Sequence, residues 1–440
     1  MSKHTPILLR HAQKPPPTPD LPRRVVWETL EARAREQLQE FIQRLLEEEI
    51  TELLGREKSV RREARETAEA AATELPESGS PGYRNGYGKP RKLTLQGGTV
   101  TVRRPRVRGV AERFESRLLP LFLRRTPEVN ALLPELYLHG LALGDFDLAL
   151  RGLLGEDAPI SASTIARLKV DWQQEYAEWQ QRSLAGLDVV YLWADGIYVK
   201  AGLEKEKAAL LVLIGATKEG KKVVLAVESG HRESISSWSA ILRDLKKRGL
   251  NCPALVIGDG ALGLWGALAN VFPAAQEQRC WNHRMVNVLD RIGKPHQEVA
   301  KAWLRKMMYA DTREQAVKYR KDFRKWCEGQ GFAKAADILE EDWDRLVAYY
   351  SFPEKHWKHL RTTNPVESPF AAVRLRTTAA KRYKKVENAT ATIWKLLRVA
   401  EKRFRRLNGS EDLPLVVAGY QFINGKLVPN VSESEMPLAA

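Results

Sequence analysis

The stretch Asp188-Val-Val-Tyr-Leu-Trp-Ala-Asp195-Gly-Ile-Tyr198 decides how the rest of the chain is read. Its run from Asp188 to Ala194 is β-branched and apolar, and too short for a free-standing helix, so it predicts a buried strand closed by Asp195 and released by Gly196. Ala208–Ala216 and Lys222–Val227 repeat the pattern as neighbouring strands. Amphipathic spacing then predicts a helix over Glu233–Arg248, and the text continues as strand (Ala254–Ile257), helix (Leu262–Val271) and strand (Glu277–Trp281).

Three strands, helix, strand, helix, strand is the order of a ribonuclease H-like α/β core with a mixed sheet. We assign its first part to residues 185–283. Residues 284–360 read as wholly helical, an insertion ahead of the C-terminal core helices at 361–408; residues 409–440 are a tail in which Gln421-Phe-Ile-Asn-Gly-Lys426 has hairpin chemistry. Upstream, proline-rich residues 1–24 read as a leader. Residues 25–80 follow as a helical region for dimerisation or DNA binding, in which Trp27, Leu30, Ala34, Leu38, Phe41, Leu45 and Leu53 recur at helical spacing up to Gly55, with helix resuming over 56–75. Residues 81–125 hold a hairpin over Arg91–Arg108 that turns at Gly97-Gly98 and carries Arg103, Arg104, Arg106 and Arg108 on its second arm. Residues 126–184 are helical again, and Phe146–Leu154, a turn at Gly155–Pro159 and a helix capped by Ser161 or Ser163 give the outline of a helix-turn-helix that would bring Thr164, Arg167 and Lys169 to a groove.

The 440 residues carry 71 Lys and Arg against 55 Asp and Glu, a formal charge of +16 that favours a polyanionic partner. The longest apolar run, Ala208–Ala216, is far short of a membrane span, no signal pattern opens the chain, and the three cysteines (Cys252, Cys280, Cys327) are too few and scattered for a disulfide framework, so a soluble protein of a reducing compartment is expected.

A second aspartate, Asp259 in Val256-Ile-Gly-Asp-Gly-Ala261, also closes an apolar strand. Two carboxylates presented at strand ends face one crevice of an open sheet, and paired carboxylates suit hard divalent ions. Either aspartate alone could equally cap its glycine turn. Gly258-Asp-Gly-Ala-Leu-Gly263 also has dinucleotide-binding spacing, with Glu277 where a ribose-binding acid would stand, but Asp259 inside the turn would repel a pyrophosphate. In Arg361-Thr-Thr-Asn-Pro-Val-Glu-Ser-Pro-Phe370 the expected helix start has Asn364 as N-cap and Pro365 in the first turn, which leaves Glu367 as either the reciprocal half of a capping box or a third ligand. Arg374, Arg376, Lys381, Arg382, Lys384 and Lys385 follow it, and between Lys355 and Asn408 there are 15 basic against 3 acidic residues. His356 and His359, at i and i+3, read as surface or phosphate contacts.

Four blocks together resemble the Mutator-type transposases of bacterial insertion sequences, within the larger DDE group: Gly82-Tyr-Arg-Asn-Gly-Tyr87; Ala194-Asp-Gly-Ile-Tyr198; Gly258-Asp-Gly-Ala261 with Cys280-Trp-Asn-His283; and Thr362-Thr-Asn-Pro-Val-Glu-Ser-Pro-Phe370 with its Arg-Leu-Arg-Thr continuation. They span residues 82 to about 406. The resemblance implies Asp195, Asp259 and Glu367 as ligands of two Mg²⁺ (or Mn²⁺) ions, with Cys280 and His283 as signature residues to which we give a packing or hydrogen-bonding role, since no second Cys or His pair at zinc spacing lies nearby. It further implies metal-dependent cleavage at terminal inverted repeats, strand transfer into target DNA, a homodimer or larger homo-oligomer on paired ends, and a cytoplasmic, nucleoid-associated location in a bacterium, with no membrane partner. Leu141-Ala-Leu-Gly-Asp-Phe-Asp147 departs from the Ser-Thr-Arg pattern expected in the family's groove-reading region. The alternatives are a domesticated DNA-binding protein without catalysis and a dinucleotide-binding enzyme.

Overall fold

A computed structural model describes residues 23–59 and 82–428, apart from 111, 113, 121–122, 143–144, 156–157, 159–161, 203–206, 231 and 261. The leader and most of the 56–75 helix expected above lie outside these residues. The chain divides into two compact units, Met1–Leu132 with Phe146–Ser161, and Leu133–Asp145 with Ala162–Ala440.

The first unit opens with α1 (Arg23–Leu54), which stops where Gly55 takes a positive φ of 62°, the left-handed geometry a glycine tolerates at a helix end. β1 (Tyr83–Tyr87), β2 (Arg91–Leu95), β3 (Gly98–Val102) and β4 (Pro105–Arg108) follow. The expected hairpin is real only as far as Val102. β2 pairs with β3, whereas β4 turns away and pairs antiparallel with β1, so Arg106 and Arg108 sit on a second ribbon and Arg103 and Arg104 on the link between the two. The buried stripe of α1 is also displaced from the one expected. Leu46, Ile50 and Leu54 are buried, Leu46 against Leu93, Val100, Val102 and Leu119, while Leu30, Phe41 and Leu53 are exposed. On the flank of the same helix, Gln39 and Gln43 accept the Thr101 and Arg103 N–H groups at 2.9 Å, which satisfies the free edge of β3.

α2 (Pro127–Leu138) crosses from the first unit to the second, and α3 (Asp145–Leu154) lies almost wholly in the first. α4 (Ala162–Gln180) belongs to the second unit. The two helices expected to form one helix-turn-helix are therefore divided between units. Arg167 is exposed, and Lys169 lies 5.2 Å from the centre of the Tyr137 ring.

The second unit is built on a five-stranded mixed sheet of order β7-β6-β5-β8-β9, from β5 (Val189–Val199), β6 (Ala208–Thr217), β7 (Lys222–Gly230), β8 (Leu255–Gly258) and β9 (Gln276–Arg279). β5–β6–β7 form an antiparallel meander, and β8 and β9 add in parallel. Both crossovers are helical, α5 (Ile235–Lys247) and α6 (Leu262–Val271). α5 starts at Ser234, whose side chain caps the Ser237 N–H, and its apolar face (Trp238, Ile241, Leu242, Leu245) joins Leu192, Ala194, Leu211, Leu213 and Val256 in the core on one side of the sheet. Strand alternation sends Tyr191 and Trp193 to the other side. There Tyr191 meets Phe352 and His356, and the Trp193 indole donates to the His359 carbonyl at 2.9 Å.

From α7 (Trp281–Leu289) the chain is helical through α8 (Gln297–Met308), α9 (Arg313–Gly329), α10 (Ala333–Glu341), α11 (Trp343–Leu346) and α12 (Trp357–Leu360) to α13 (Asn364–Glu367), α14 (Phe370–Ala380), α15 (Val386–Glu401) and α16 (Leu413–Val417). The tail hairpin forms as β10 (Phe422–Ile423) and β11 (Lys426–Leu427), turning on Asn424 and Gly425, both at positive φ. No helix among the described residues is long and apolar enough to cross a membrane.

Candidate functional site

The sheet register places the two aspartates. β5 and β8 pair in parallel, and their last paired residues are Trp193 and Ile257. Asp195 and Asp259 each stand two residues further along, side by side where the parallel pairing ends. Asp195 does not close its strand as expected. Pairing with β6 carries β5 on to Val199, and Asp195 sits opposite Val212. It is therefore a mid-strand residue, 8% exposed, on the face shared by Tyr191 and Trp193.

Glu367 comes from the helices over that face, because α13 packs on β5 and β6. The helix start differs from the expected one in that Thr363 holds the N-cap position and Asn364 begins the helix. Glu367 is thus not the reciprocal half of a capping box. Its carboxylate accepts from the Thr363 hydroxyl, and its own N–H donates to the Thr363 carbonyl at 3.0 Å. Ser368-Pro369 then separates this single helical turn from α14.

Charge in the crevice follows from the placement. Burial pushes the Asp195 carboxyl up to about 7, with the charges of Asp259 and Glu367 adding to the rise and the Gly196 N–H (2.8 Å) and His283 opposing it. His283, on the first turn of α7, has Nδ1 3.9 Å from Glu367 Oε1. Its pKa is raised to about 9, first by the adjoining Cys280 side chain and then by Asp195 and Glu367, against the opposing effect of burial. Cys280 is fully buried at the N-cap of the same helix, and its Sγ accepts from the Thr363 N–H at 3.4 Å and the Thr363 hydroxyl at 3.3 Å. The three acids offer only oxygen donors, the set that Mg²⁺ and Mn²⁺ take.

Glu233 is a fourth acid here, one that sequence reading missed. It lies just ahead of α5, accepts from the Tyr198 hydroxyl at 3.0 Å, and its carboxylate fills the space over Gly196, where a Cβ would lie 2.3 Å from Oε1. Burial and then the charge of Asp259 raise its pKa. No local motif marks it, since only the return of α5 across the sheet brings it beside β5.

The dinucleotide alternative fails on space. A Cβ on Gly260 would lie 1.7 Å from Arg279 Nη1, which donates to the Gly260 carbonyl at 2.9 Å and pairs with Asp342, and one on Gly263 would lie 2.1 Å from the Glu233 carbonyl. The glycines admit protein, not a pyrophosphate. Glu277, the supposed ribose ligand, is paired with Arg345.

Two further expectations are corrected. His356 is fully buried, bonded to the Tyr191 hydroxyl (2.7 Å) and the Gly409 carbonyl (2.7 Å), and knits the fold instead of meeting solvent, whereas His359 is half-buried and accepts the Asn408 N–H at 3.2 Å. Arg376, expected on DNA, is 2% exposed. Its Nη1 donates to the carbonyls of Tyr137 and Leu141, and its guanidinium stacks over the Tyr137 ring. Arg374, Lys381, Arg382, Lys384 and Lys385 are exposed, Arg382 also donating to the Gly202 carbonyl. In the first unit, Lys89, Arg91, Arg104, Arg106 and Arg108 line a groove of about 580 Å³.

The sequence matches the family described as Transposase, Mutator family, over residues 26–406. It is 43% identical over 313 residues to the transposase for insertion sequence element IS6120 of Mycolicibacterium smegmatis, covering 70% of this chain and 95% of that protein. It is 41% identical over 279 residues to the transposase for insertion sequence element IST2 of Acidithiobacillus ferrooxidans, 63% of this chain and 94% of the relative. The transposase for insertion sequence element ISRM5 of Rhizobium meliloti is 29% identical over 349 residues, 78% of this chain and 81% of the relative. With the profile matching most of its length, the chain belongs to the Mutator family of transposases.

Proposed function

We propose that the chain is a DDE transposase with a ribonuclease H-like catalytic core, binding the terminal inverted repeats of an insertion sequence and catalysing metal-dependent strand cleavage followed by strand transfer into target DNA. The observation that carries this reading is the meeting of Asp195 and Asp259, in step on parallel strands, with Glu367 on the helix over the same face. Asp195, Asp259 and Glu367 would together hold two Mg²⁺ ions. When bound, such ions supply Lewis-acid stabilisation of the attacking and leaving oxygens of a phosphodiester. The fit is supported by the all-oxygen donor set and by the high pKa of Asp195, the signature of a buried carboxylate among like charges that a cation would relieve.

The chain's own residues do the rest. Thr363 fixes the Glu367 carboxylate, the Gly196 N–H orients Asp195, and Tyr198 holds Glu233 beside them. Exposed Arg374, Lys381, Arg382, Lys384 and Lys385 bind backbone phosphates near the crevice, while Arg103, Arg106 and Arg108 do so in the first unit. A homodimer or larger assembly then brings two element ends together. The test is incubation of full-length protein with end-containing DNA and Mg²⁺, comparing Asp195→Ala, Asp259→Ala and Glu367→Gln. Cleavage that needs metal and all three acids is expected. Specific binding with no cleavage would select a DNA-binding protein without catalysis.

A further inference from the structure

We propose that Cys280, His283 and Glu367 form a second, thiophilic cation site, of the kind Zn²⁺ takes, which shares Glu367 with the carboxylate site and so couples soft-metal binding to the catalytic acid. One ligand atom from each residue lies within 4.8 Å of the others. A sulfur, an imidazole nitrogen and a carboxylate oxygen are the donor mix that favours Zn²⁺ over Mg²⁺, and three protein ligands leave a fourth position for water.

Three features show a site already assembled. Nδ1 of His283 is shielded from solvent, with Glu367 Oε1 3.9 Å away and the Cys280 side chain adjoining the ring, so an imidazole nitrogen, a carboxylate oxygen and a sulfur already face one another. The Cys280 sulfur, also buried, takes two long contacts from Thr363 and adjoins the His283 side chain. The two segments that supply the ligands are tied together next to them, by the Trp281 N–H to the Arg361 carbonyl at 2.9 Å and by Asn282 to Asn364 at 3.2 Å. The cation therefore does not have to gather remote parts of the chain. Its arrival displaces two protons to solvent, one from the Cys280 thiol and one from the His283 imidazolium, and draws Glu367 towards the sulfur and away from the two aspartates. The binding claim is independent of the preceding proposal, on which only its consequence for catalysis rests.

The probe is Co²⁺, titrated into the full-length chain without DNA and followed by the thiolate-to-metal charge-transfer band. We expect one equivalent to saturate the band, Zn²⁺ to displace it, and a large excess of Mg²⁺ to leave it in place. Cys280→Ser should remove the band. His283→Gln, at a half-exposed position that does not threaten folding, should weaken Co²⁺ binding at least tenfold, and Glu367→Gln should weaken it as well. Absence of a band in the wild-type chain, a band of full strength in Cys280→Ser, or unchanged affinity in His283→Gln would overturn the proposal. A chain that gives the band and yet cuts no DNA would defeat the preceding proposal and leave this one standing.

Discussion

The acidic crevice and the cationic helices that follow it treat charge in opposite ways. On the strand side, Asp195, Asp259, Glu233 and Glu367 are brought towards one another by register and crossover, and Asp195 is driven so far from its ordinary range that its proton would remain near neutral pH without a cation. On the helix side, Arg376 is deeply buried with two backbone carbonyls and a ring face as partners, while Arg374, Lys381, Arg382, Lys384 and Lys385 are exposed. Like charge gathered at one edge of the sheet raises the cost of ionising a buried acid, whereas the buried Arg376 is held by backbone carbonyls and a ring face and serves the architecture. A count of basic residues does not separate the buried cation from the exposed ones.

The comparison can be broken most decisively at the acids. Asp195→Asn, Asp259→Asn or Glu367→Gln should each lower metal-dependent cleavage of end-containing DNA by about 10³-fold, roughly 4 kcal/mol in the barrier, with DNA binding retained. Next in size is Arg376→Ala, which removes two charge-assisted hydrogen bonds and should destabilise the fold by about 3 kcal/mol in denaturant titration, while leaving phosphate contacts intact. If Arg376→Ala instead weakened DNA binding at unchanged stability, the assignment of Arg376 to the architecture would be wrong. A smaller effect of opposite sign is expected for Asp195→Asn in metal-free protein. Its carboxyl is raised from 3.8 to about 7 on folding, so ionisation opposes folding: stability is full below pH 4, declines as pH rises, and is lowest above 7. The variant should therefore be more stable than the parent by about 1–3 kcal/mol at pH 8 and equal to it below pH 4. Least of all, Arg374→Ala and Lys384→Ala should change stability by less than about 0.5 kcal/mol, yet each should reduce the slope of log affinity against log salt by about one.

The succession of strands and helices, and the placing of both aspartates at neighbouring strands, were legible because each rests on local signals: an apolar run, an acid, a glycine. The position of Asp195 within its strand was not, since the length of β5 is set by β6, more than ten residues downstream. The arginine hairpin was misjudged for the same reason, since β4 pairs with β1 on the far side of β2 and β3. Glu233 and the partnership of Cys280 and His283 with Glu367 were beyond reach, because each depends on a crossover or a helical return that joins distant residues. Arg376 looked like its neighbours in composition and differs only in what α2 places against it.

The ties between the start of α7 and the start of α13 have a further consequence. Some eighty residues leave the sheet beside Cys280 and come back to the same spot, where Trp281 is bonded to Arg361 and Thr363 to Cys280. The excursion is bracketed like a parenthesis, and closing a loop grows only logarithmically harder with its length. Changes of length in its outer helices, α8 to α10, therefore cost little in closure entropy, provided that the two brackets, the glutamate just outside the second, and Phe352, His356 and His359 against β5 stay in register.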